Sequence, residues 1–469
     1  MPWAETLRPA RMSRIAVVVP RSRLRSALVA LSEDGSVELE GSHAAHRDRG
    51  EIRGLLESSG HADAEPALSA TPTDAETLVA EGRWELLAGE AQLEDRAAAA
   101  LEHGRGAVLA GWTPTERLGS LSARLAEVGA AAVELPHPAA VDAPTLIRGS
   151  RVARSARPLV DTFATVPYRD VDPALFAGAS FALMFGMMFG DVGGGLLLVA
   201  LGLYLARAKR RPFVGFRRTW ALVTAAGVAA IAFGFLYGEF FGPTGVVPVI
   251  WMSPLDDPVR LLVAGIAVGG VLIGISFVLG TINRWREGGP GTAIYAASGL
   301  AGAAVYFGGA AAVGGAYWDI PALLWGGVAV LAVGLVLTFV GFSARAGAGA
   351  SGSAQASVEL FDSVLRIGTN TVSFARLAAF GLMHAALAAI VWEGAQALAH
   401  GTWMIAAAAL FVVGNLAAFA LEVLVVGIQA IRLEYYELFS RILTSEGRVF
   451  EPWHVPLHRP NDRPNGVNA

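Results

Sequence analysis

One arginine inside a membrane-length apolar run constrains this chain more than any other feature. Ser357–Val391 reads SVELFDSVLRIGTNTVSFARLAAFGLMHAALAAIV, with Arg376 near its middle. At about 100° per residue, a single helix would bring Asp362, Arg366, Asn370, Ser373, Arg376 and His384 within about 120° of one another. The opposite side is Leu, Val, Ala, Phe and Met. A helix that is lipid-like on one side and ionisable on the other lines a wet or protein-filled path. Charge at the bilayer centre costs about 2.5 kcal/mol or more, so an intramembrane arginine is a candidate functional residue by default.

Composition supports a membrane chain in two parts. Its 469 residues are 54% hydrophobic and 16% charged, with a mean hydropathy of +0.49 that a soluble protein does not reach. The apolar content lies almost wholly beyond residue 172, whereas the first 170 residues are rich in Arg, Asp, Glu and Ala. The expected fold is an α-helical polytopic membrane domain behind an N-terminal α+β cytoplasmic domain. The expected bounds are 1–165 for the cytoplasmic part, 166–440 for the membrane part and 441–469 for a cytoplasmic tail. The opening MPWAETLRPARMSR lacks an apolar run and a cleavage site, so no secretory leader is expected. The absence of cysteine excludes disulfides, thiolate metal sites and cysteine nucleophiles. Lys209 is the only lysine, so arginine is the ordinary cation here.

In the N-terminal part, Arg14–Pro20 (RIAVVVP) reads as a buried strand, followed by a helix over Arg23–Leu31, a turn at Asp34-Gly35 and a strand at Val37–Leu39. A second unit repeats the order: a strand at Gly106–Gly111, a helix over Pro114–Val128 capped by Thr113, and a strand at Ala131–Leu135. The two units suggest a pair of lobes joined by helices, among them an amphipathic one over Glu81–His103. His43 and His46 lie in a polar, Gly- and Ser-containing segment and read as solvated rather than as metal ligands.

Beyond a Pro-containing linker at Val160–Pro173, Ala174–Ala206 is too long for one crossing, and Gly190–Gly195 (GDVGGG) supplies a tight turn within it. Further spans are expected near 219–241, 259–283, 292–316, 321–343, 357–398 and 403–437, giving about eight crossings, the last two long and tilted. Loop charges agree. Six basic residues lie in Arg207–Arg218, and further arginines near 284–287 and at Arg345, which puts those loops in the cytoplasm. Seven crossings, with the first segment as one tilted helix, would put the loop charges on the wrong side. The Gly-rich run Arg345–Gly352 reads as a linker, and the small residues of 292–316 as a means of close helix packing.

The final helix carries Asn415, Glu422 and Gln429 at seven-residue intervals, with Arg432 about 80° round from that line. Two readings stand at this point. Arg376 and Glu422 clip two helices together, or the polar groups spread along the membrane's depth form aqueous half-channels.

Four segments carry a resemblance. TNTVSFARLAAFGLMHAALA resembles the penultimate helix of the membrane stator of V-type and archaeal-type rotary ATPases, the subunit a / subunit I family. FALMFGMMFGDVGGG resembles that family's FxxMFGDxGxG signature and IAFGFLYGEFFG its FGxxYGExFG; Glu422–Trp453 resembles its last helix and trailing end. RMSRIAVVVP and AVLAGWTPTERL are similar to the starts of its two cytoplasmic lobes. The resemblance implies a non-catalytic stator subunit that guides protons, or sodium ions, past a rotating proteolipid ring. It implies that Arg376 faces the rotor carboxylate with Arg432 as its partner. Glu422, Asp362, His384, Asp191 and Gln429 would fall on polar positions of the ion path. The implied partners are the proteolipid rotor ring (c/K subunits), the peripheral stalk E/G subunits, the central-stalk C/d subunit and the lipid bilayer. No cofactor, resident metal or nucleic acid is expected, and no GxxxxGK[ST] loop is present to bind nucleotide.

Some features depart from the family. The helical arm of the cytoplasmic part is short, and Gly194 stands where the family often has His or Tyr. Arg366 is read as a cation reaching toward the cytoplasmic interface, and His384 as either a channel group or a satisfied core histidine. The alternative function is a secondary ion or solute transporter with a cytoplasmic regulatory domain. Transporters show interrupted helices in both halves, and GDVGGG has no counterpart in the second half.

Overall fold

The computed structural model describes residues 9–41, 51–136, 141–208, 215–347, 349–399 and 403–458. His43, His46 and Lys209 lie outside them. The chain divides into two compact units, one formed by Pro9–Ile147 with the stretch from Gly447, the other by Arg148–Glu446.

The first unit is built on β1 (Met12–Pro20), α1 (Leu24–Asp34), β2 (Glu38–Leu39), α2 (Glu51–Ser58), α3 (Ala75–Ala80) and α4 (Trp84–Ala98). β3 (Leu101–His103), β4 (Gly106–Pro114), α5 (Leu118–Glu127) and β5 (Ala131–Leu135) complete it. Ile15, Val17 and Val19 alternate into the core while Val18 points outward, the period-2 signature of a half-buried strand. The expected pair of lobes is not what forms. β1 pairs antiparallel with β4 from Met12↔Pro114 to Pro20↔Gly106, and all five strands join one sheet ordered β2-β4-β1-β5, with β3 on β4. This is a split β-α-β arrangement. Each unit alone would leave β1 or β4 with an unpaired edge; interleaving pairs both and lets α1 and α5 share one core with Ile15, Val17 and Leu109.

Thr113 is also not a helix cap. It sits in β4 opposite Ser13, its hydroxyl donates to the Ser36 carbonyl at 3.0 Å, and α5 begins only at Leu118. The helix expected over Glu81–His103 is the shorter α4, because the chain turns at Ala99 into the β3–β4 hairpin. The C-terminal stretch completes this unit's core. Trp453 donates its N–H to the Val37 carbonyl and its indole N–H to Gln92 Oε1. Val455 exchanges hydrogen bonds with the Ser32 hydroxyl.

The second unit is helical: α6 (Arg151–Phe163), α7 (Ala174–Phe189), α8 (Val192–Arg207), α9 (Trp220–Tyr237), α10 (Pro258–Tyr295), α11 (Leu300–Tyr317) and α12 (Pro321–Ala346). α13 (Ala350–Ser373), α14 (Ala375–Ala399) and α15 (Met404–Leu433) follow, and a π-helical turn over Glu434–Phe439 leads into α16 (Ser440–Ile442). Among the described residues, six helices are long and apolar enough to cross a membrane, α13 and α14 counting as one of them and α15 with its extension as another. α7 and α8 have 16 residues each, about 24 Å at helical rise, and are shorter than the hydrocarbon core. α7 is apolar all round and enclosed, with Met184, Phe185, Met187 and Met188 at the centre of the core.

Three expectations are corrected. The break within Ala174–Ala206 is confined to Gly190-Asp191, because the Asp191 side chain caps α8 and Val192–Gly195 are already helical. Arg284–Glu287 is not a loop: α10 runs through it, Arg284 pairs with Glu287 one turn on at 2.5 Å, and the bend comes at Gly289, whose φ of +74° precedes Pro290. The single helix expected over 357–398 is interrupted at Phe374, between α13 and α14. The small residues of α11 do pack closely. A Cβ on Gly308 would lie 2.4 Å from the Leu331 backbone nitrogen of α12.

Candidate ion-path site

The break at Phe374 positions the arginine. Phe374 is fully buried against Gly269 of α10, where any Cβ would meet its ring at 2.0 Å. Two residues on, Arg376 turns toward an open groove of about 690 Å³ lined by Leu365, Gly368, Thr369, Val372 and Ser373. Its Nη1 is buried without a hydrogen-bond partner, and among the described residues no carboxylate lies within 4.0 Å of it. Glu437, in the π turn, lies near Ser373 and is the acid whose charge faces Arg376, Arg432 and Arg441. Arg432 is exposed, and the neighbouring Gln429 has its carbonyl oxygen buried and unpartnered.

A second cluster forms where α7, α8, α14 and α15 meet. Asp191 accepts from the Gly194 N–H at 2.5 Å and the Gly242 N–H at 3.3 Å, closing the α7–α8 break over the loop after α9. That loop places Glu239, whose carbonyl accepts from Val192 N–H at 3.0 Å. His384 bridges two acids: Nδ1 lies 2.6 Å from Glu422 and Nε2 3.5 Å from Glu239. All four residues are buried; Glu422 Oε1 has no hydrogen-bond partner, and Glu239 Oε2 has none beyond its ion-pair distance to His384 Nε2. Phe189, Phe241, Asn415 and Phe419 help enclose a cavity of about 20 Å³ beside them, room for one water. Asp191, Glu239 and His384 present their ligand atoms within 4.8 Å of one another, close enough to hold a metal ion. Both Asp191 oxygens are already engaged by backbone N–H groups, which suits a hydrogen-bonded cluster better.

Asp362 stands apart. It pairs with Arg366 one turn on, and both are exposed in a polar groove of about 310 Å³ with Glu359, Asn370, Ser440 and Arg441. At helical rise Asp362 lies about 21 Å before Arg376 along α13 and α14, and His384 about 12 Å after it. The structure therefore brings Asp191, His384 and Glu422 together, sets Arg376 and Arg432 around Glu437, and leaves Asp362 in a third place. The clip between Arg376 and Glu422 is absent, since Glu422 is committed to His384. Glu239 was missed as a site residue, although it lies in the segment IAFGFLYGEFFG that carried the resemblance.

These features define a multi-pass membrane protein with buried ionisable clusters between its helices. The model of the V-type ATPase 116 kDa subunit family matches residues 100–248. The chain is 28% identical to the A-type ATP synthase subunit I of Archaeoglobus fulgidus over 74% of its length and 58% of that protein's. It is 26% identical to the subunit I of Aeropyrum pernix over 69% of its length and 52% of that protein's. It is also 35% identical to the human V-type proton ATPase 116 kDa subunit a 3, over 27% of its length and 16% of that protein's. The chain is thus similar to the subunit a / subunit I family, and spans about half the length of the archaeal relatives it matches.

Proposed function

We propose that the chain is the stator subunit of a V/A-type rotary ATPase, non-catalytic itself, which carries protons or sodium ions past a rotating proteolipid ring. The observation that supports this most is the placing of Arg376: a guanidinium with an unpartnered nitrogen over an open groove, between two separate polar clusters. Arginine stays charged at any working pH. As each rotor carboxylate comes opposite the groove, Arg376 favours its ionised form, so the bound ion leaves there. The carboxylate reloads once it has moved past. The same charge repels cations that would otherwise leak straight through.

The His384–Glu422–Glu239 chain with its water-sized cavity serves one half-channel, and the Asp362–Arg366 groove the other. In the first, a proton passes between imidazole and the Glu422 carboxylate over the 2.6 Å contact, Glu239 Oε2 faces the other ring nitrogen at 3.5 Å, and the free Oε1 of Glu422 continues the path. Gln429 and Arg432 flank the rotor-facing side. In this reading α7 and α8 act as a pair alongside the six longer helices, giving eight membrane segments with both termini in the cytoplasm. The peripheral and central stalks bind the N-terminal unit.

The test is ATP-driven ion uptake by vesicles holding the whole complex. Arg376→Ala should abolish uptake with the complex still assembled, and Arg376→Lys should lose most of it. Full uptake in Arg376→Ala would overturn the reading. His384→Ala should lower uptake while leaving ATP hydrolysis by the detached catalytic part intact.

A further inference from the structure

The helical unit has a basic cleft that the ion path does not use. Arg154, Arg157 and Asp161 of α6, Ala206 at the end of α8, and Arg217, Arg218 and Trp220 at the start of α9 line a space of about 1030 Å³. Arg157 is committed, at 2.9 Å from Asp172 and 3.8 Å from Asp161. Arg154, Arg217 and Arg218 have no carboxylate within 4.0 Å among the described residues. Three arginines thus meet with little opposing charge, at a cost in mutual repulsion that an anion would relieve.

The cleft is also firmly held. Ser155 accepts from the Leu222 N–H at 3.0 Å, tying α6 across the first turn of α9, and Ala153, Ala156, Leu159 and Val160 are buried beneath it. Its level is set by the helices themselves. The apolar span of α9 begins at Arg217, and on the other two helices of the cleft Leu201 and Leu203 of α8 and Val152 of α6 are exposed. Charge at the start of the membrane-length α9 and at the end of the shorter apolar α8, with exposed apolar side chains on the same helices, matches a molecule that is anionic at one end and apolar at the other.

We propose that this cleft binds the phosphate headgroup of an anionic phospholipid, with Arg154, Arg217 and Arg218 as the ligating groups. The guanidinium forks offer paired N–H donors to phosphate oxygens, and the acyl chains run along α8. The proposal rests on the chain being a membrane protein and is independent of the ion path.

The test is native mass spectrometry of the delipidated full-length chain in detergent, incubated with phosphatidylglycerol or phosphatidylcholine. Phosphatidylglycerol should be retained about tenfold or more over phosphatidylcholine. The combined Arg154→Gln/Arg217→Gln/Arg218→Gln variant should lose that preference, and Arg345→Gln, on α12, should keep it. Excess inorganic phosphate should displace little of the lipid. Equal retention of the two lipids, or an undiminished preference in the combined variant, would overturn the proposal. Complete displacement by inorganic phosphate would also overturn it, in favour of a free-phosphate site. Should the combined variant fail to fold, Arg217→Gln alone, at an exposed residue, should still reduce the preference, and no reduction would count against it.

Discussion

Trp453 offers a quantitative test of how the C-terminal stretch is held. It is 7% exposed in a core shared with Val37, Leu39 and Leu93, with the Arg96 guanidinium 5.7 Å from its ring. Its backbone N–H reaches Val37 at 2.9 Å and its indole N–H reaches Gln92 at 3.1 Å. Truncating a buried tryptophan to alanine costs about 3–5 kcal/mol, from lost apolar burial and the cavity left behind. Trp453→Ala should therefore ease local opening by about 3 kcal/mol or more, a factor of about 150. Trp453→Phe keeps most of the packing and loses the indole hydrogen bond, worth about 1 kcal/mol, or roughly fivefold. Hydrogen–deuterium exchange of the full chain, followed in peptides covering 447–458 and 32–40, reads both. Exchange in Trp453→Ala within a few-fold of wild type would refute the reasoning, because the stretch would then be held by its backbone bridges alone.

Other consequences follow from the helical unit. Asp170, outside the membrane segments, is buried near Glu287, and burial, with the neighbouring negative charge of Glu287, pushes its pKa up to about 7 against Arg284 and Arg286. A carboxyl raised in the folded state favours folding below its unfolded pKa, and this support is lost as pH rises toward 7. Thermal midpoints should thus fall from pH 5 to pH 8 more steeply in wild type than in Asp170→Asn, an effect of at most about 3 kcal/mol over that window. Equal slopes would sink it. Asp191→Ala removes the cap of α8 and the bond to Gly242 N–H, and should lower stability by about 1–2 kcal/mol in thermal unfolding, with Asn retaining part of it. Gly308→Leu should destabilise by about 1–3 kcal/mol or more because its Cβ would meet α12 backbone, whereas Gly309→Leu, with nothing within 4 Å, should be nearly neutral.

Much of the architecture was legible because it follows from local chemistry. Apolar runs of membrane length, a glycine turn closed by an aspartate and alternating strands are patterns within one segment, and a single segment suffices to read them. The errors share a cause. Thr113 resembled a helix cap because Thr-Pro often starts one, but pairing with Ser13 extended the strand. The stripe from Asp362 to His384 assumed an unbroken helix, and the packing of Phe374 on Gly269 of α10 divided it.

By itself the sequence determined a polar N-terminal part and a polytopic helical part, since composition and periodicity are properties of the chain alone, and the resemblance of its motifs singled out the polar residues Asp191, Asp362, Arg376, His384, Glu422, Gln429 and Arg432. Only the tertiary structure decided how these residues meet: Glu422 with His384 rather than Arg376, Glu239 as the other acid on the imidazole, and the arginine left facing open space. The reason is physical. A buried ionisable group takes its character from the partners that desolvate and neutralise it, and here those partners lie 38 and 145 residues away from His384 along the chain.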